Sequence, residues 1–233
     1  MTETKYSGDD VLDVMSKHAI NRNNAIADII TRNLKLKDAP PGSRILEFGA
    51  GRGEFINRFT NSNLDLSAVE IDPDYLKNLS STVKAYGDIN DVPPALDAIY
   101  LIDVLEHLED DRYFLKQFYS KLKSGGRLFI YVPARMELYS DFDKKIGHFR
   151  RYTIGELKEK VLQAGFKIED VRYHELLGYF ASMLNKFTSK SADLNPSSVK
   201  AYDKFLVPPT NFLEKFVKPP FGKSIYLTAT REN

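Results

Sequence analysis

A glycine-rich segment, Arg44 to Phe55 with the sequence RILEFGAGRGEF, constrains the fold of this chain more than any other feature. An apolar run ends at Glu47, and Gly49, Gly51 and Gly53 follow at alternate positions. This order predicts a strand, then a glycine turn, then a helix. Glycine has no Cβ and tolerates positive φ, so the backbone of such a turn can lie directly against a bound ligand.

The spacing of the glycines separates this turn from dinucleotide-binding loops. Those loops read G-x-G-x-x-G and place a helix N-terminus against a pyrophosphate. This turn reads G-x-G-x-G, and an acid, Glu47, lies two residues before the first glycine. A carboxylate would repel a pyrophosphate but can hold an ammonium group. The turn therefore indicates a nucleoside joined to an amino acid, and it argues against a nicotinamide dehydrogenase.

Two acids beyond the turn fit the same ligand. Glu70 lies near the end of the next apolar run, at about the 20-residue separation where an acid of a βαβ unit accepts hydrogen bonds from ribose hydroxyls. Asp88 follows the third apolar run, where a loop could meet the adenine amino group. A solvated acid at a strand end is the alternative interpretation of Glu70.

Short apolar strands alternate with helices along the chain, which is typical of a mostly parallel sheet covered on both faces. Thr153 and Glu156 form a predicted capping box at the start of a helix that Gly165 ends. The predicted strands are 44–48, 66–71, 83–86, 98–103, 127–132, 166–173 and 224–230, and the predicted helices are 54–60, 74–80, 110–123 and 153–164, with one or two more over 9–36.

The order of these motifs resembles the class I S-adenosylmethionine-dependent methyltransferases. Glu47 and the glycines, Glu70 and Gly87-Asp88 are followed by Ile102 to Leu108 (IDVLEHL) and by the turn into a fifth strand, 122–133. Gly147 to Thr153 (GHFRRYT) is similar to a motif of the bacterial type-11 and type-12 members. The resemblance covers the chain from about Asn23 to the C-terminus.

This resemblance implies a Rossmann-like α/β fold. Its seven-stranded, mostly parallel sheet has the order 3-2-1-4-5-7-6 with the last strand antiparallel, helices on both faces and a helical insertion between strands 6 and 7. The chain is then one methyltransferase domain, 1–233. Its parts are the N-terminal helices 1–40, a cofactor-binding core 41–173, a helical insertion or lid 174–222 and the last strand 223–233.

The implied cofactor is S-adenosyl-L-methionine, and the implied product is S-adenosyl-L-homocysteine. The backbone of Asp103, the first polar residue after strand 4, is expected to border the methionine part. The residues expected to bind the cofactor are Glu47, Gly49, Ala50, Gly51, Gly53, Glu70, Ile71, Asp88, Ile89 and Asp103.

Candidate catalytic residues follow strands 4 and 5. Glu106 and His107 come directly after strand 4, and an imidazole, with an ordinary pKa of about 6.5, can take a proton from an acceptor hydroxyl or amine. His148 is a rival base in the loop after strand 5, and Tyr152 is a further candidate beside it. The alternative is structural: a turn residue for His107 and a packed anchor for Tyr152.

The acceptor is less well indicated than the donor. Arg150 and Arg151 could bind a phosphate or carboxylate of a substrate, or they could form a basic, solvated turn. Aromatic residues of the insertion (Tyr173 at its edge, Tyr179, Phe180 and Phe187) could cover the acceptor site, belong to the core or form the seam of a homodimer.

Several function classes find no support in the sequence. The chain has no cysteine, its four histidines at 18, 107, 148 and 174 have no paired spacing, and we therefore predict no metal site. A net charge of +1 gives no argument for nucleic acid. No apolar run approaches the roughly 18 to 20 residues of a membrane span.

We therefore expect a cytoplasmic enzyme that methylates an oxygen or nitrogen atom of a small-molecule acceptor, in secondary metabolism or glycan-related chemistry. Two alternatives stay open at this point. One is a protein or RNA methyltransferase of the same fold, and the other is a non-catalytic cofactor-binding partner that docks through 174–222.

Overall fold

A computed structural model describes residues 9–188 and 193–232. One seven-stranded sheet has the order β3-β2-β1-β4-β5-β7-β6. Neighbouring strands are parallel except for β7, which is antiparallel to both β5 and β6. The strands are β1 (Arg44–Phe48), β2 (Asp65–Val69), β3 (Lys84–Tyr86), β4 (Leu96–Ile102), β5 (Leu122–Pro133), β6 (Phe166–His174) and β7 (Ser224–Arg231). The order and the antiparallel last strand confirm the expected sheet.

Helices cover the sheet and fill the connection between its last two strands. They are α1 (Asp9–His18), α2 (Ile20–Asn33), α3 (Pro73–Leu79), α4 (Asp111–Lys121), α5 (Asp141–Lys145), α6 (Ile154–Gln163), α7 (Leu176–Thr188), α8 (Pro196–Phe205) and α9 (Val207–Leu213). The last three form the helical insertion between β6 and β7. Within residues 9–188 and 193–232, none of the helices has both the length and the apolar character needed to cross a membrane.

Alternate residues of each strand enter two separate apolar layers, because successive side chains of a strand point to opposite faces. In β4, Ile99 belongs to the layer that contains Phe118 of α4 and Leu157 of α6. Its neighbour Tyr100 belongs to the opposite layer, with Ile30 of α2. Burial on both faces explains why the parallel strands read as continuous apolar runs.

The start and end of α6 confirm the predicted capping box. The Thr153 hydroxyl accepts a hydrogen bond from the Glu156 backbone at 3.3 Å, and the Glu156 carboxylate accepts one from the Thr153 backbone at 2.8 Å. The chain then turns at Gly165, whose φ of 100° suits glycine.

The helix predicted after the glycine turn, over 54–60, is wrong. The chain forms consecutive turns there, with a single 3-10 turn at Ile56–Arg58. The backbone N–H groups of Arg58 and Phe59 donate to carbonyls three residues earlier, each at 3.0 Å. This turn has no side-chain cap at Phe55, whereas α3, which is as short as the predicted helix, begins with a cap from the Asp72 side chain. The segment 54–60 therefore provides no α-helix N-terminus behind the glycine turn.

Candidate functional site

A cavity of about 500 Å³ opens at the carboxyl ends of β1 and β4, where the strand order reverses. Parallel sheets bind ligands at such a switch point, because the chain leaves the two strands in opposite directions. Of the ten residues predicted to bind cofactor, all except Gly53 line this cavity. A more open groove of about 710 Å³ lies along β2 and β3, but its charged residues, Asp65 and Lys84, pair with each other.

The glycines of the turn serve different purposes. A Cβ on Gly49 would lie 2.5 Å from a methyl carbon of Val104, so this glycine lets the loop after β4 pack against the turn. Gly51, with φ of 53°, lines the cavity, and a Cβ added to it would meet only Leu12 of α1, at 3.5 Å. Gly51 is thus the position where backbone can contact a ligand most closely.

Glu70 at the end of β2 organises the turn from the opposite side of the cavity. Its carboxylate accepts hydrogen bonds from the backbone N–H of Gly51 at 2.6 Å and of Asp72 at 2.9 Å. Each carboxylate oxygen can accept more than one hydrogen bond. The group therefore holds the turn in place and can still accept a bond from a hydroxyl in the cavity.

Glu47 contributes a buried carboxyl group to the same wall. The Tyr100 hydroxyl donates to it at 3.1 Å, and the side chain is almost wholly buried. Burial raises the pKa of Glu47 to about 8, and the negative charges of Glu70 and Glu54 add to the effect. The group is therefore mostly neutral near pH 7 unless a cation lies beside it.

Helix α1 covers the glycine turn, a role that the sequence interpretation missed. Arg52 of the turn forms ion pairs with Asp9 and Asp13 of α1, both at 2.7 Å, and the Tyr75 hydroxyl also bonds to Asp9. The α1 residues in the cavity wall are Val11, Leu12, Met15 and Ser16. The i,i+4 spacing of the two aspartates indicates a shared helix face, but only the folded chain shows its partner.

The other end of the cavity is organised by a buried aspartate, Asp143 of α5. His148 Nδ1 lies 2.8 Å from Asp143 Oδ1, and Arg151 donates to both carboxylate oxygens at 2.9 and 3.1 Å. Burial alone would raise the pKa of Asp143, but the bonds from His148 and Arg151 lower it to about 2. When His148 Nδ1 donates to this carboxylate, Nε2 carries the lone pair.

Glu106 and His107 meet His148 at this end. The Glu106 side chain is fully buried, and neither of its oxygens has a hydrogen-bond partner within the described residues. Burial and then the charge of Asp103 raise its pKa well above the ordinary value. The rings of His107 and His148 lie 4.6 Å apart, and burial together with the charge of His148 lowers the pKa of His107 to about 4.

A buried ionic network fixes the wall between the two ends. Arg22 of α2 pairs with Asp103 at 2.9 Å and with Glu175 at 3.3 Å. Glu175 also accepts hydrogen bonds from Tyr131, Tyr202 and Ser224. Burial would raise the pKa of Glu175, but the charge of Arg22 and of further cations holds it well below its usual range. Asp103 and Glu175 both adopt positive φ, 53° and 63°, which marks strained backbone at the site.

Lys223, just before β7, contributes a cation to the cavity wall. Its ammonium group lies 5.1 Å from the centre of the Tyr202 ring. Among residues 9–188 and 193–232, this ammonium has no hydrogen-bond or ion-pair partner. Burial lowers the pKa of Lys223, the charge of Glu175 opposes this effect, and the charge of Arg22 adds to it. The sequence shows only one lysine among several near the C-terminus, so no local pattern identifies it.

Two predicted site residues do not fit their predicted roles. Tyr152 is buried away from the cavity wall, and its hydroxyl donates to Asp111 at 2.8 Å and to the Leu105 carbonyl at 3.2 Å. Arg150 also lies outside the wall and pairs with Asp111 at 2.7 Å. Both side chains fasten the loop after β5 to the start of α4. Arg151 does line the cavity, but its guanidinium group already donates hydrogen bonds to both carboxylate oxygens of Asp143.

The predicted lid contributes little to the cavity. Within the described part of 174–222, only Leu194 reaches the wall. Tyr179 packs against Phe221 with ring centres 4.9 Å apart, and Phe180 is 54% exposed. The side chain of Phe187 lies outside the described residues. A lid or a homodimer seam in the insertion therefore stays a prediction.

A family model described as a methyltransferase domain matches residues 18–171, which is more than half of the chain. The chain belongs to this methyltransferase family. The match covers the sheet from β1 to most of β6 and most of the cavity wall, but neither the wall residues of α1 nor Lys223. It confirms the expected superfamily, while the narrower resemblance to the type-11 and type-12 members stays a prediction.

Individual relatives are more distant. A ubiquinone biosynthesis O-methyltransferase of Xanthomonas campestris is 28% identical over 104 residues, which span 40% of this chain and 44% of that protein. A probable S-adenosylmethionine-dependent methyltransferase of Mycolicibacterium smegmatis is 26% identical over 55% of this chain and 54% of its own length. The chain thus spans about half the length of the curated relatives it matches.

A solved structure confirms the fold over most of the chain. The crystal structure of an S-adenosylmethionine-dependent methyltransferase from Archaeoglobus fulgidus superposes with a TM-score of 0.59 at 19% identity. The superposition covers 89% of this chain and 94% of that one. At this identity the comparison establishes the Rossmann-like architecture and leaves the acceptor open.

The raised pKa of Glu47 predicts a pH-dependent stability. The folded chain keeps this carboxyl protonated up to about pH 8, whereas the unfolded chain ionises it near its ordinary value of 4.5. Between these values the unfolded chain binds fewer protons, so rising pH favours unfolding. We expect Glu47→Gln to gain stability relative to the unmodified chain as pH rises from about 4.5 to about 8. Urea unfolding of both proteins without cofactor measures this difference, and a difference that stays constant or shrinks would contradict it.

Proposed function

We propose that this protein transfers a methyl group from S-adenosylmethionine to an oxygen or nitrogen atom of a small acceptor that carries an anionic group. The observation that carries the proposal is the wall of the switch-point cavity. It combines a glycine turn, two carboxyl groups and Asp88 at one end with a histidine cluster and an unpaired ammonium at the other. The first end suits the donor, and the second suits the acceptor.

Each part of the donor has a matching group in the wall. Glu70, at the end of β2, accepts hydrogen bonds from the ribose hydroxyls. Asp88 meets the adenine amino group, and the exposed side chain of Ile71 and the buried one of Ile89 provide apolar surface for the ring. Glu47 faces the ammonium group of the methionine part, where the added positive charge favours its ionised form.

Lys223 is our candidate for recognising the acceptor. Among the described residues this half-buried ammonium forms no hydrogen bond or ion pair, and the charge of Glu175 acts on it only from farther away. A carboxylate or phosphate next to it is therefore favourable. It replaces Arg150 and Arg151 as the predicted anion site, because those two guanidinium groups already bind Asp111 and Asp143. The cover formed by α1 leaves a narrow cavity, which favours a small molecule over a protein or RNA.

The reaction needs mainly alignment of the two substrates. The methyl group of a sulfonium is already activated, so an in-line approach of the acceptor atom is the main requirement. As the acceptor atom bonds to the methyl carbon, the C–S bond breaks and its electrons remain on sulfur. A protonated acceptor must also lose a proton, and the cluster of Glu106, His107 and His148 is the polar group placed to promote that loss.

Replacing Glu70 tests the donor end. Glu70→Ala removes the acceptor for the ribose hydroxyls, and losing charged hydrogen bonds costs about 1–3 kcal/mol, or about 5- to 150-fold in affinity. Calorimetry with S-adenosylhomocysteine measures this loss. Glu109→Ala, an exposed acid outside the cavity, is the matched control and should bind normally. Equal affinity in both variants would place the ribose contact elsewhere.

Replacing Lys223 tests the acceptor end. Radiolabelled S-adenosylmethionine is offered with paired acceptors of which one carries an anionic group and the other does not, such as dihydroxybenzoate and its methyl ester, or phosphoethanolamine and ethanolamine. We expect the protein to prefer the anionic member of a pair, and Lys223→Met to reduce kcat/KM for that member by about 10- to 150-fold, the effect of losing a charged hydrogen bond.

Three controls define this experiment. Lys223→Arg keeps the charge and should retain part of the preference, and Lys215→Met changes an exposed lysine outside the cavity and should change nothing. S-adenosylhomocysteine should bind all variants equally. A preference for the neutral member, or an undiminished anionic preference in Lys223→Met, would exclude Lys223 as the anion site.

A further inference from the structure

The acceptor end of the cavity brings together two imidazoles and a carboxylate that lie far apart in the sequence. One ligand atom from each of Glu106, His107 and His148 can be chosen so that all three lie within 4.8 Å of one another. We infer that these three side chains form a binding site for a divalent transition-metal ion, with Zn²⁺ as the reference ion. This inference departs from the sequence prediction of no metal site, because only the fold brings His148 beside Glu106 and His107. The inference rests on the proposed function, because the ion would activate the acceptor of the same reaction.

Glu106 gives the strongest reason for an ion at this place. Its side chain is fully buried, and both oxygens lack hydrogen-bond partners within the described residues. A buried polar group without a partner is costly, and native chains rarely keep one without a reason. Glu106 Oε1 lies 3.6 Å from His148 Nε2, too far for a hydrogen bond and close to the separation of two ligands on one metal ion.

The groups behind the histidines hold them in the state that a metal needs. His148 Nδ1 bonds to Asp143, which leaves Nε2 directed at Glu106. The His107 ring bonds to the backbone carbonyl of Gly147, which fixes the orientation of the ring, and His107 contributes one of the three clustered ligand atoms. Metal-binding histidines usually donate their second N–H to a carboxylate or a backbone carbonyl in this way, which fixes the tautomer and the orientation of the ring.

The donor set selects the type of ion. Two imidazoles and one carboxylate, without sulfur, suit Zn²⁺, Fe²⁺ and related ions better than Ca²⁺ or Mg²⁺. Three protein ligands leave coordination positions open toward the cavity, which His107 and His148 both line. Asp103 lies close enough to influence the pKa values of both Glu106 and His107, so an acidic group also faces the site.

Such an ion would activate an acceptor hydroxyl by binding its oxygen. A bound cation lowers the pKa of the hydroxyl, whose proton leaves to solvent, and the resulting oxyanion attacks the methyl carbon while the C–S bond breaks toward sulfur. Acceptors with a second oxygen beside the first could occupy two open positions. The ligand class is therefore a hydroxylated acid or a vicinal diol that also reaches Lys223.

Metal binding can be measured on the whole chain without knowing the acceptor. Untagged protein is treated with a chelator, dialysed and titrated with Zn²⁺ by calorimetry, and Co²⁺ is added separately to record the visible absorption of its complex. We expect one Zn²⁺ per chain. Replacing a residue that only orients a metal ligand typically weakens metal binding by about 10- to 100-fold. Glu106→Gln and His148→Ala each remove a ligand and should weaken Zn²⁺ binding by more than that.

Matched controls and a second ligand keep the outcomes distinct. Glu109→Gln and His18→Ala make the same substitutions outside the cluster and should bind Zn²⁺ normally. Unmodified protein that binds S-adenosylhomocysteine but not Zn²⁺, or that binds Zn²⁺ equally well after both cluster substitutions, would overturn the metal site and leave methyl transfer intact. Failure to bind the adenosyl ligand would instead contradict the proposed function.

Discussion

The reversal of strand order between β1 and β4 is the constraint on which the rest of the structure depends. The chain leaves β1 toward β2 and β3 and leaves β4 toward β5, so the loops at their carboxyl ends diverge and a crevice forms between them. Most of the cavity wall consists of these loops, of neighbouring strand ends and of helix α1, which packs against the glycine turn. The order of the strands therefore determines where the cavity lies, independently of any single side chain.

The two ends of the crevice differ in the charge and hydrogen bonding of their buried carboxyl groups. At the donor end, Glu70 uses backbone N–H groups to hold the glycine turn, and Glu47 stays protonated until a cation arrives. At the acceptor end, Asp143 is fully satisfied by His148 and Arg151, whereas Glu106 has no partner within the described residues. Carboxyl groups in and behind the wall of one cavity thus differ in their tendency to ionise because their surroundings differ.

The sequence predicted features that depend on local pattern. The glycine turn, Glu70 and the capping box at Thr153 follow from short spacings, and the strand order followed from the family resemblance. Lys223 and Asp143 escaped prediction because their roles arise from contacts between distant parts of the chain. Tyr152 was assigned wrongly for a related reason: its motif shows that it lies beside the cavity loop, but not that its side chain turns toward Asp111 in the interior.

Calorimetry with a series of adenosyl ligands tests the central claim, that the cavity holds a nucleoside joined to an amino acid. We predict that S-adenosylmethionine and S-adenosylhomocysteine bind. Methylthioadenosine, which lacks the amino acid, should bind more weakly because it leaves Glu47 without a cation, and NAD should not bind. Binding of NAD without either adenosyl amino acid, or equal affinity for methylthioadenosine and S-adenosylhomocysteine, would contradict this assignment of the cavity.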